Sequence, residues 1–343
     1  MKKSYLSAMV LACGLAVSAT TAQAGLLSFL FGPPKPTATW QNCDVDGCKQ
    51  GGSTTVNSDY AKTKYPIVFG HGMAGFSAVG PLQYWHGITE DLVANGAQVF
   101  VTQQASFQSS EVRGEQLLKQ VKNILAVTGA QKVNLMGHSH GAQSVRYVAG
   151  IIPGQVASVS TVGGVNKGSP VADSIAALSE SAVVGDILTP VLSGAINAIF
   201  SLVGIGSGHY YDQDAVAGMY SLSTNGAADF NARFPGGVPV TACGEGDELA
   251  SNGVRYYSWS GTGVLTNLLD PIDYALTATS LLIPGESDGL VPKCSSHLGK
   301  VIRDNYYFNH MDEVNQVLGL VGFLQDPVVP FRQQANRLKN VGL

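Results

Sequence analysis

The stretch Gly137-His138-Ser139-His140-Gly141 constrains this chain more than any other. It follows a short apolar run, Val133-Asn134-Leu135-Met136, and precedes a helical-looking segment from Ala142 to Ala149. Strand, tight turn and helix in that order are the setting in which G-x-S-x-G presents a nucleophilic serine. The serine is forced into a strained backbone, and the glycines two before and two after let strand and helix approach closely. Its hydroxyl then stands clear at the carboxyl end of a sheet, where helix N-terminal N–H groups meet developing negative charge. A chain with 41 glycines can produce the pentapeptide by chance, so the surrounding sequence has to supply the context.

Strands and helices alternate around it. Tyr65-Pro66-Ile67-Val68-Phe69 reads as a buried strand, followed by a helical stretch (Tyr84 to Asn95), a strand (Gln98 to Thr102) and a helix (Ser110 to Val127). Beyond the serine come strands at Val156 to Gly163 and Tyr256 to Gly261, with Leu281-Leu282-Ile283 leading to another. Such alternation at short spacing predicts an α/β fold with a mostly parallel central sheet covered by helices on both faces. At 343 residues there is ample material for a core.

Charged residues make up 13% of the chain and the net charge is -4. Without Lys/Arg clusters, nucleic acid and anionic membrane surfaces are poor partners. The first residues read as an export signal over 1–24: Lys2 and Lys3, an apolar run from Leu6 to Val17, and Ala22-Gln23-Ala24 before Gly25. Cys13 lies inside that apolar run, which disfavours a lipoprotein. Cleavage and secretion through the periplasm leave Cys43, Cys48, Cys243 and Cys294, and an even number in an exported chain predicts two disulfides. Cys43 and Cys48 are near neighbours in a Gly/Asp-rich turn and pair locally, so Cys243 pairs with Cys294. Residues 25–58 read as an N-terminal extension closed by the small loop, with Asp44 and Asp46 as turn residues, and 59–343 as the main domain.

The uncharged stretch from Ile187 to Gly208 could raise a transmembrane reading, which Pro190, Gly194 and Asn197 weaken. Its apolar residues, from Ile187 to Val203, form one broad helical face. The expectation is a helical lid over the serine, with a buried core helix as the plainer reading.

A serine of this kind needs a histidine as base and a carboxylate to orient it, in the chain order Ser, Asp/Glu, His. Only His297 and His310 lie late in the chain. Asp288, in its glycine-flanked turn Gly285 to Gly289, is favoured over Glu286; Asp270 and Asp273 follow no clear strand. His297 comes too soon after Asp288 for another element to intervene, whereas His310 follows Val301-Ile302 and Tyr306-Tyr307-Phe308. The triad is therefore Ser139, Asp288 and His310, with His297 a structural histidine near Cys294 and His71 a turn residue. The first strand runs into Gly70-His71-Gly72-Met73, so the backbone N–H of Met73 is assigned with that of His140 to an oxyanion hole.

On these residues the chain resembles the secreted bacterial triacylglycerol lipases of the Pseudomonas and Burkholderia kind, members of the α/β-hydrolase superfamily. The segments Tyr65 to Val68, His71 to Phe76, Gly137 to Gly141, Asn309 to Gln316 and Ala335 to Lys339 carry the likeness, which runs from about Asp59 to the C-terminus. The resemblance implies an α/β-hydrolase fold, the same triad and oxyanion donors, a lid around 176–203, and the Cys243–Cys294 bridge. It also implies one structural Ca2+ held by the side chains of Asp270 and Asp312 and the backbone oxygens of Gln316 and Leu320, oxygen ligands suited to a hard cation. Many relatives require a lipase-specific foldase during export. The resemblance gives the 25–58 extension no role. The expected enzyme is a monomeric, secreted lipase that hydrolyses triacylglycerol at the lipid–water interface. An esterase or a polyester depolymerase is the alternative on the same site, and a non-catalytic binding protein the remote one.

Overall fold

A computed structural model describes residues 35–180 and 211–343 of the chain; the signal segment 1–24 and the apolar stripe from Ile187 to Val203 lie outside them. The chain enters with two strands, β1 (Thr37–Asp44) and β2 (Gly47–Thr55), and continues through β3 (Ile67–Gly70) and two short paired strands, β4 (Ala78–Val79) and β5 (Leu82–Gln83). Next come α1 (Ile88–Ala94), β6 (Val99–Thr102), α2 (Ser110–Thr128), β7 (Val133–His138), α3 (Gly141–Ile151), β8 (Val156–Val162) and α4 (Pro170–Glu180). After the undescribed stretch follow α5 (Ala215–Leu222), α6 (Thr224–Arg233), β9 (Arg255–Gly261), α7 (Pro271–Ser280), β10 (Lys300–Tyr306) and α8 (Val328–Asn340). Ala38–Leu343 form one unit.

The main sheet has the order β10-β9-β8-β7-β3-β6-β1-β2. From β10 through to β1 every neighbouring pair is parallel. Parallel strands need helical crossovers that cover both faces, and the sequence obeys that demand. Ile67, Phe69, Val99, Val101, Met136, Tyr257 and Trp259 project to one face, where Leu92, Phe331 and Leu338 of α1 and α8 pack on them. Val68, Phe100, Leu135, Val159 and Tyr256 project to the other, against Leu117 and Val121 of α2 and Val145 and Val148 of α3. Alternate residues of one strand thus feed two cores, the period-2 geometry of a strand buried on both sides.

Two elements differ from the sequence reading. The segment 25–58 was read as an extension closed by a small loop, with no strands assigned to it; its Thr37–Thr55 portion adds β1 and β2 to the β6 edge. β1 and β2 are joined by only Val45-Asp46, a connection too short for anything but an antiparallel pair, and Cys43–Cys48 ties the turn. Trp40 anchors it: the indole is buried with the core and lies so close to Gly51 and Gly52 that a Cβ at Gly52 would sit 2.2 Å from it. Second, Leu281-Leu282-Ile283 is no approach to a strand. It is a turn that unwinds α7, with the N–H groups of Leu282 and Ile283 donating to the carbonyls of Thr279 and Ser280. Leu281 is exposed there, without a partner strand to bury it. The second bridge, Cys243–Cys294, is also formed. Among the described residues, no helix is long and apolar enough to cross a membrane.

Candidate active site

Ser139 sits between the end of β7 and the start of α3 with φ 54°, the left-handed region that a non-glycine residue adopts only where its surroundings hold it. The two glycines of the motif are steric requirements. A Cβ on Gly137 would lie 2.4 Å from the carbonyl oxygen of Gly141, and one on Gly141 would lie 2.2 Å from that of Gly70. The Ser139 backbone is fixed from both sides, its N–H donating to the Val162 carbonyl (3.0 Å) and its carbonyl accepting from Ala142 (3.0 Å).

His310 follows β10 and Asp288 lies on the crossover between β9 and β10. His310 Nδ1 is 2.8 Å from Asp288 Oδ2, and both side chains are buried. The other carboxylate oxygen accepts from the N–H groups of Leu290 (2.9 Å) and Val291 (2.7 Å), while the His310 N–H donates to the Asp288 carbonyl (2.8 Å). The acid is therefore aimed by its own turn before it meets the imidazole. Ser139 and His310 line one cavity of about 170 Å³ together with Met73, Val171, Ile175 and Leu222, among other residues. Its other polar side chains are occupied: the Ser169 hydroxyl donates to the Leu290 carbonyl (2.5 Å), the Thr279 hydroxyl to that of Gly289 (2.6 Å) and the Gln316 amide to that of Tyr84 (3.0 Å), while Tyr84 and His138 bond each other (2.6 Å). The walls are left apolar, the character of a site for an acyl chain.

The loop carrying Met73 is held by residues that the sequence did not single out. Arg113 of α2 is fully buried and its guanidinium donates to the carbonyls of His71 (2.6 Å), Gly72 (3.1 Å), Ala105 and Ser106 (3.4 Å). The Gly72 N–H donates to the Tyr84 hydroxyl (3.0 Å), and the Ala74 N–H to the Ser106 carbonyl (2.9 Å). Tyr84 in turn donates to His138 Nδ1 (2.6 Å), which places the proton of His138 on Nε2, 3.0 Å from the His310 carbonyl. His71 is a buried hub rather than a simple turn residue: its Nδ1 reaches the Gly72 carbonyl (2.8 Å) and its Nε2 accepts from the Gln104 N–H (3.1 Å). His297 lies where expected beside the second disulfide, bonded to the Gly244 carbonyl (3.0 Å) and Asp304 (3.1 Å). Glu286 instead pairs with Lys293 at the surface (2.9 Å).

Burial makes three histidines hard to protonate. His71 is lowered to about 3, by burial first and the Arg113 charge second; burial also holds His138 and His140 well below the ordinary value. Glu313 is shifted the other way, well above the usual carboxylate range, by burial and then by the neighbouring Asp288 charge. In the unfolded chain the histidines regain a value of about 6.5, so below that pH the unfolded state binds up to three more protons than the folded one; Glu313 returns one. Stability is therefore expected to fall with acid as pH drops from about 6.5 toward 5, because the uptake by the three unfolded-state imidazoles exceeds what Glu313 returns. Urea titrations at pH 7.5 and 5.5 in saturating calcium check this. Equal midpoints would mean that the three rings are accessible to protons.

The residues implied as metal ligands lie beside the base. Asp312 Oδ2 accepts from the Asn309 N–H (3.1 Å) and the Thr266 hydroxyl (2.7 Å), and Asp270 Oδ1 caps α7 by accepting from the Ile272 N–H (2.8 Å). Their remaining oxygens, Asp312 Oδ1 and Asp270 Oδ2, are buried without a partner in the protein. Burial pushes Asp312 up to about 7 and raises Asp270 as well. Two buried carboxylates, each with an unused oxygen, are costly unless a cation joins them, so the donor set fits a hard divalent ion. Asp273, set aside in the sequence, ties the same loops together through Thr266 and Asn267 N–H (2.6 and 2.7 Å) and Asn309 Nδ2 (2.5 Å).

Residues 65–185 match the alpha/beta hydrolase fold family. The chain is 50% identical to a triacylglycerol lipase of Vibrio cholerae, over 83% of this chain and 90% of that one. Triacylglycerol lipases of Pseudomonas fragi and Burkholderia plantarii are 39% and 38% identical, over 83% of this chain and 99% and 88% of theirs. Among solved structures, the mature form of a Bacillus licheniformis lipase superposes with a TM-score of 0.55 at 21% identity, covering 81% of this chain and 96% of that one, a likeness of fold. By its fold, its serine-centred site and its relatives, this chain belongs to the bacterial triacylglycerol lipase family of α/β hydrolases.

Proposed function

We propose that this enzyme cleaves the ester bonds of triacylglycerol through an acyl-enzyme on Ser139. The observation that carries the reading is the Asp288–His310 pair, at 2.8 Å, whose histidine lines one apolar cavity with a serine of φ 54°. His310 takes the proton of Ser139 as the hydroxyl attacks the ester carbonyl, and Asp288 holds the imidazole in the required tautomer and stabilises its positive charge. The N–H groups of Met73 and His140 bind the tetrahedral oxyanion, each worth roughly 3 kcal/mol of transition-state stabilisation. His310 then protonates the departing alcohol, and water repeats the cycle on the acyl-serine. The apolar walls favour a fatty acyl group over a polar one.

In the same reading a calcium ion is held by the Asp270 and Asp312 side chains and the backbone oxygens of Gln316 and Leu320. Its contribution is structural, since it fixes the segment two residues beyond His310 and takes no part in proton transfer. The two disulfides suit an oxidising compartment, in keeping with a secreted protein. A foldase during export and action as a monomer belong to the same proposal.

Rates on emulsified trioleoylglycerol and on a dissolved short-chain ester test the substrate class. The expected result is steady release of oleate from the emulsion, abolished by an active-site phosphonate. Turnover of the dissolved ester alone would make the protein an esterase.

A further inference from the structure

Two loops beside the cavity expose large apolar side chains and hold no charge. Residues 261–269, Gly-Thr-Gly-Val-Leu-Thr-Asn-Leu-Leu, and residues 314–325, Val-Asn-Gln-Val-Leu-Gly-Leu-Val-Gly-Phe-Leu-Gln, contain no ionisable side chain. Leu269 is 81% exposed, Phe323 and Leu324 are each 86% exposed, and Leu268 and Leu318 are exposed as well. Single exposed leucines are unremarkable on a protein surface, but a contiguous group is not.

The loops act as one surface. Asn267 Nδ2 donates to the Val321 carbonyl (3.1 Å), and the Tyr307 hydroxyl donates to that of Leu265 (3.1 Å). A Cβ on Gly322 would lie 3.2 Å from the Tyr307 ring and 3.4 Å from Thr266, which places the second loop against the first. Their backbone is held in unusual conformations, with Leu318 at φ 56° and Leu324 at φ 61°. Left-handed leucines persist only where the surroundings over-determine them. The patch is also continuous with the cavity: Gln316 and Val317, immediately before Leu318, line it, as does Ile272 just after Leu269.

We infer that Leu268, Leu269, Leu318, Phe323 and Leu324 form a fixed docking surface for the acyl phase of a triacylglycerol droplet. This rests on the lipase reading, which supplies the occupant: a substrate that is itself an apolar liquid and enters the cavity next to the patch. Absence of charge matches that occupant, because a cationic or anionic rim would have to shed its hydration at the oil surface. Side chains on a pinned backbone enter the oil without a further loss of chain entropy.

The test is the triple variant Leu269→Ser/Phe323→Ser/Leu324→Asn, with asparagine at 324 because it tolerates the left-handed backbone. Partition onto trioleoylglycerol droplets is measured by flotation in saturating calcium, on a Ser139→Ala background so that the oil is not consumed. Each side chain withdrawn from oil is worth about tenfold in partition. The triple variant is therefore expected to bind droplets about a thousandfold more weakly. With Ser139 intact, the same variant should hydrolyse dissolved p-nitrophenyl butyrate within about twofold of the unaltered enzyme and melt at the same temperature. Undiminished droplet binding would overturn the proposal. So would a lower melting temperature or a change of oligomeric state with droplet binding retained, which would assign the patch to the 181–210 segment or to a second copy of the chain. If the unaltered enzyme releases no oleate from the droplets, it is the lipase reading that fails.

Discussion

Ser139→Ala is expected to fold normally and to lose about 10⁶-fold in kcat on any ester, the loss seen when a serine nucleophile of this type is removed. The fold should survive because Ser139 contributes its backbone rather than its hydroxyl to the structure. Its N–H and carbonyl bonds, to Val162 and from Ala142, do not depend on the side chain. Alanine carries the same Cβ and meets the same strain at φ 54°. Residual rate over water should remain, because the proposed oxyanion donors at Met73 and His140 and the apolar cavity are untouched. Circular dichroism melts and steady-state rates check both halves. A variant within tenfold of the unaltered rate would remove Ser139 from the chemistry.

Withdrawal of calcium is expected to lower the melting temperature by about 6 °C, with loss of activity in step. At a free concentration a thousandfold above the dissociation constant, a bound ion adds about 4 kcal/mol to folding, and each kcal/mol moves the midpoint by about 1.6 °C in a unit as large as Ala38–Leu343. Loss of the proposed ion would strand Asp270 and Asp312, buried with one unpaired oxygen each, beside the segment that carries His310. Structure and activity should therefore fail together. Asp270→Asn/Asp312→Asn, measured with and without chelator, should show no remaining difference between the two melts. A chelator-independent melt of the unaltered protein would mean that the carboxylates are neutral instead, as the rise of Asp312 to about 7 would allow.

The parts of the site visible in the sequence were those fixed by local chemistry. Gly137 and Gly141 flank a serine after an apolar run because strand and helix must touch at Gly70, and that requirement leaves its mark within five residues. His310 could be chosen because crossover length eliminated His297; Asp288 was favoured by its glycine-flanked turn and by an expected strand before it, and the structure keeps the turn without the strand. Residues whose roles depend on distant contacts left no such mark. Arg113 is one cation among several in a helical stretch, and only the packing of α2 against the 71–75 loop turns it into a ligand for four carbonyls. Tyr84 and His138 meet across 54 residues. The strands at residues 37–55 went unread because a polar, glycine-rich edge hairpin has no apolar alternation to report. Its burial comes through Trp40, which uses Gly51 and Gly52 as a floor. Leu281 to Ile283 misled for the converse reason: a short apolar run looks like a strand whether or not a neighbour exists to pair with it.

Reaction with an alkyl phosphonate ester followed by peptide mass analysis shows whether the hydroxyl of Ser139 is the group that His310 activates. The predicted result is one adduct per chain, on the peptide containing Ser139, and none in Ser139→Ala or His310→Ala. An adduct on another residue, or undiminished labelling of Ser139 after removal of His310, would contradict it.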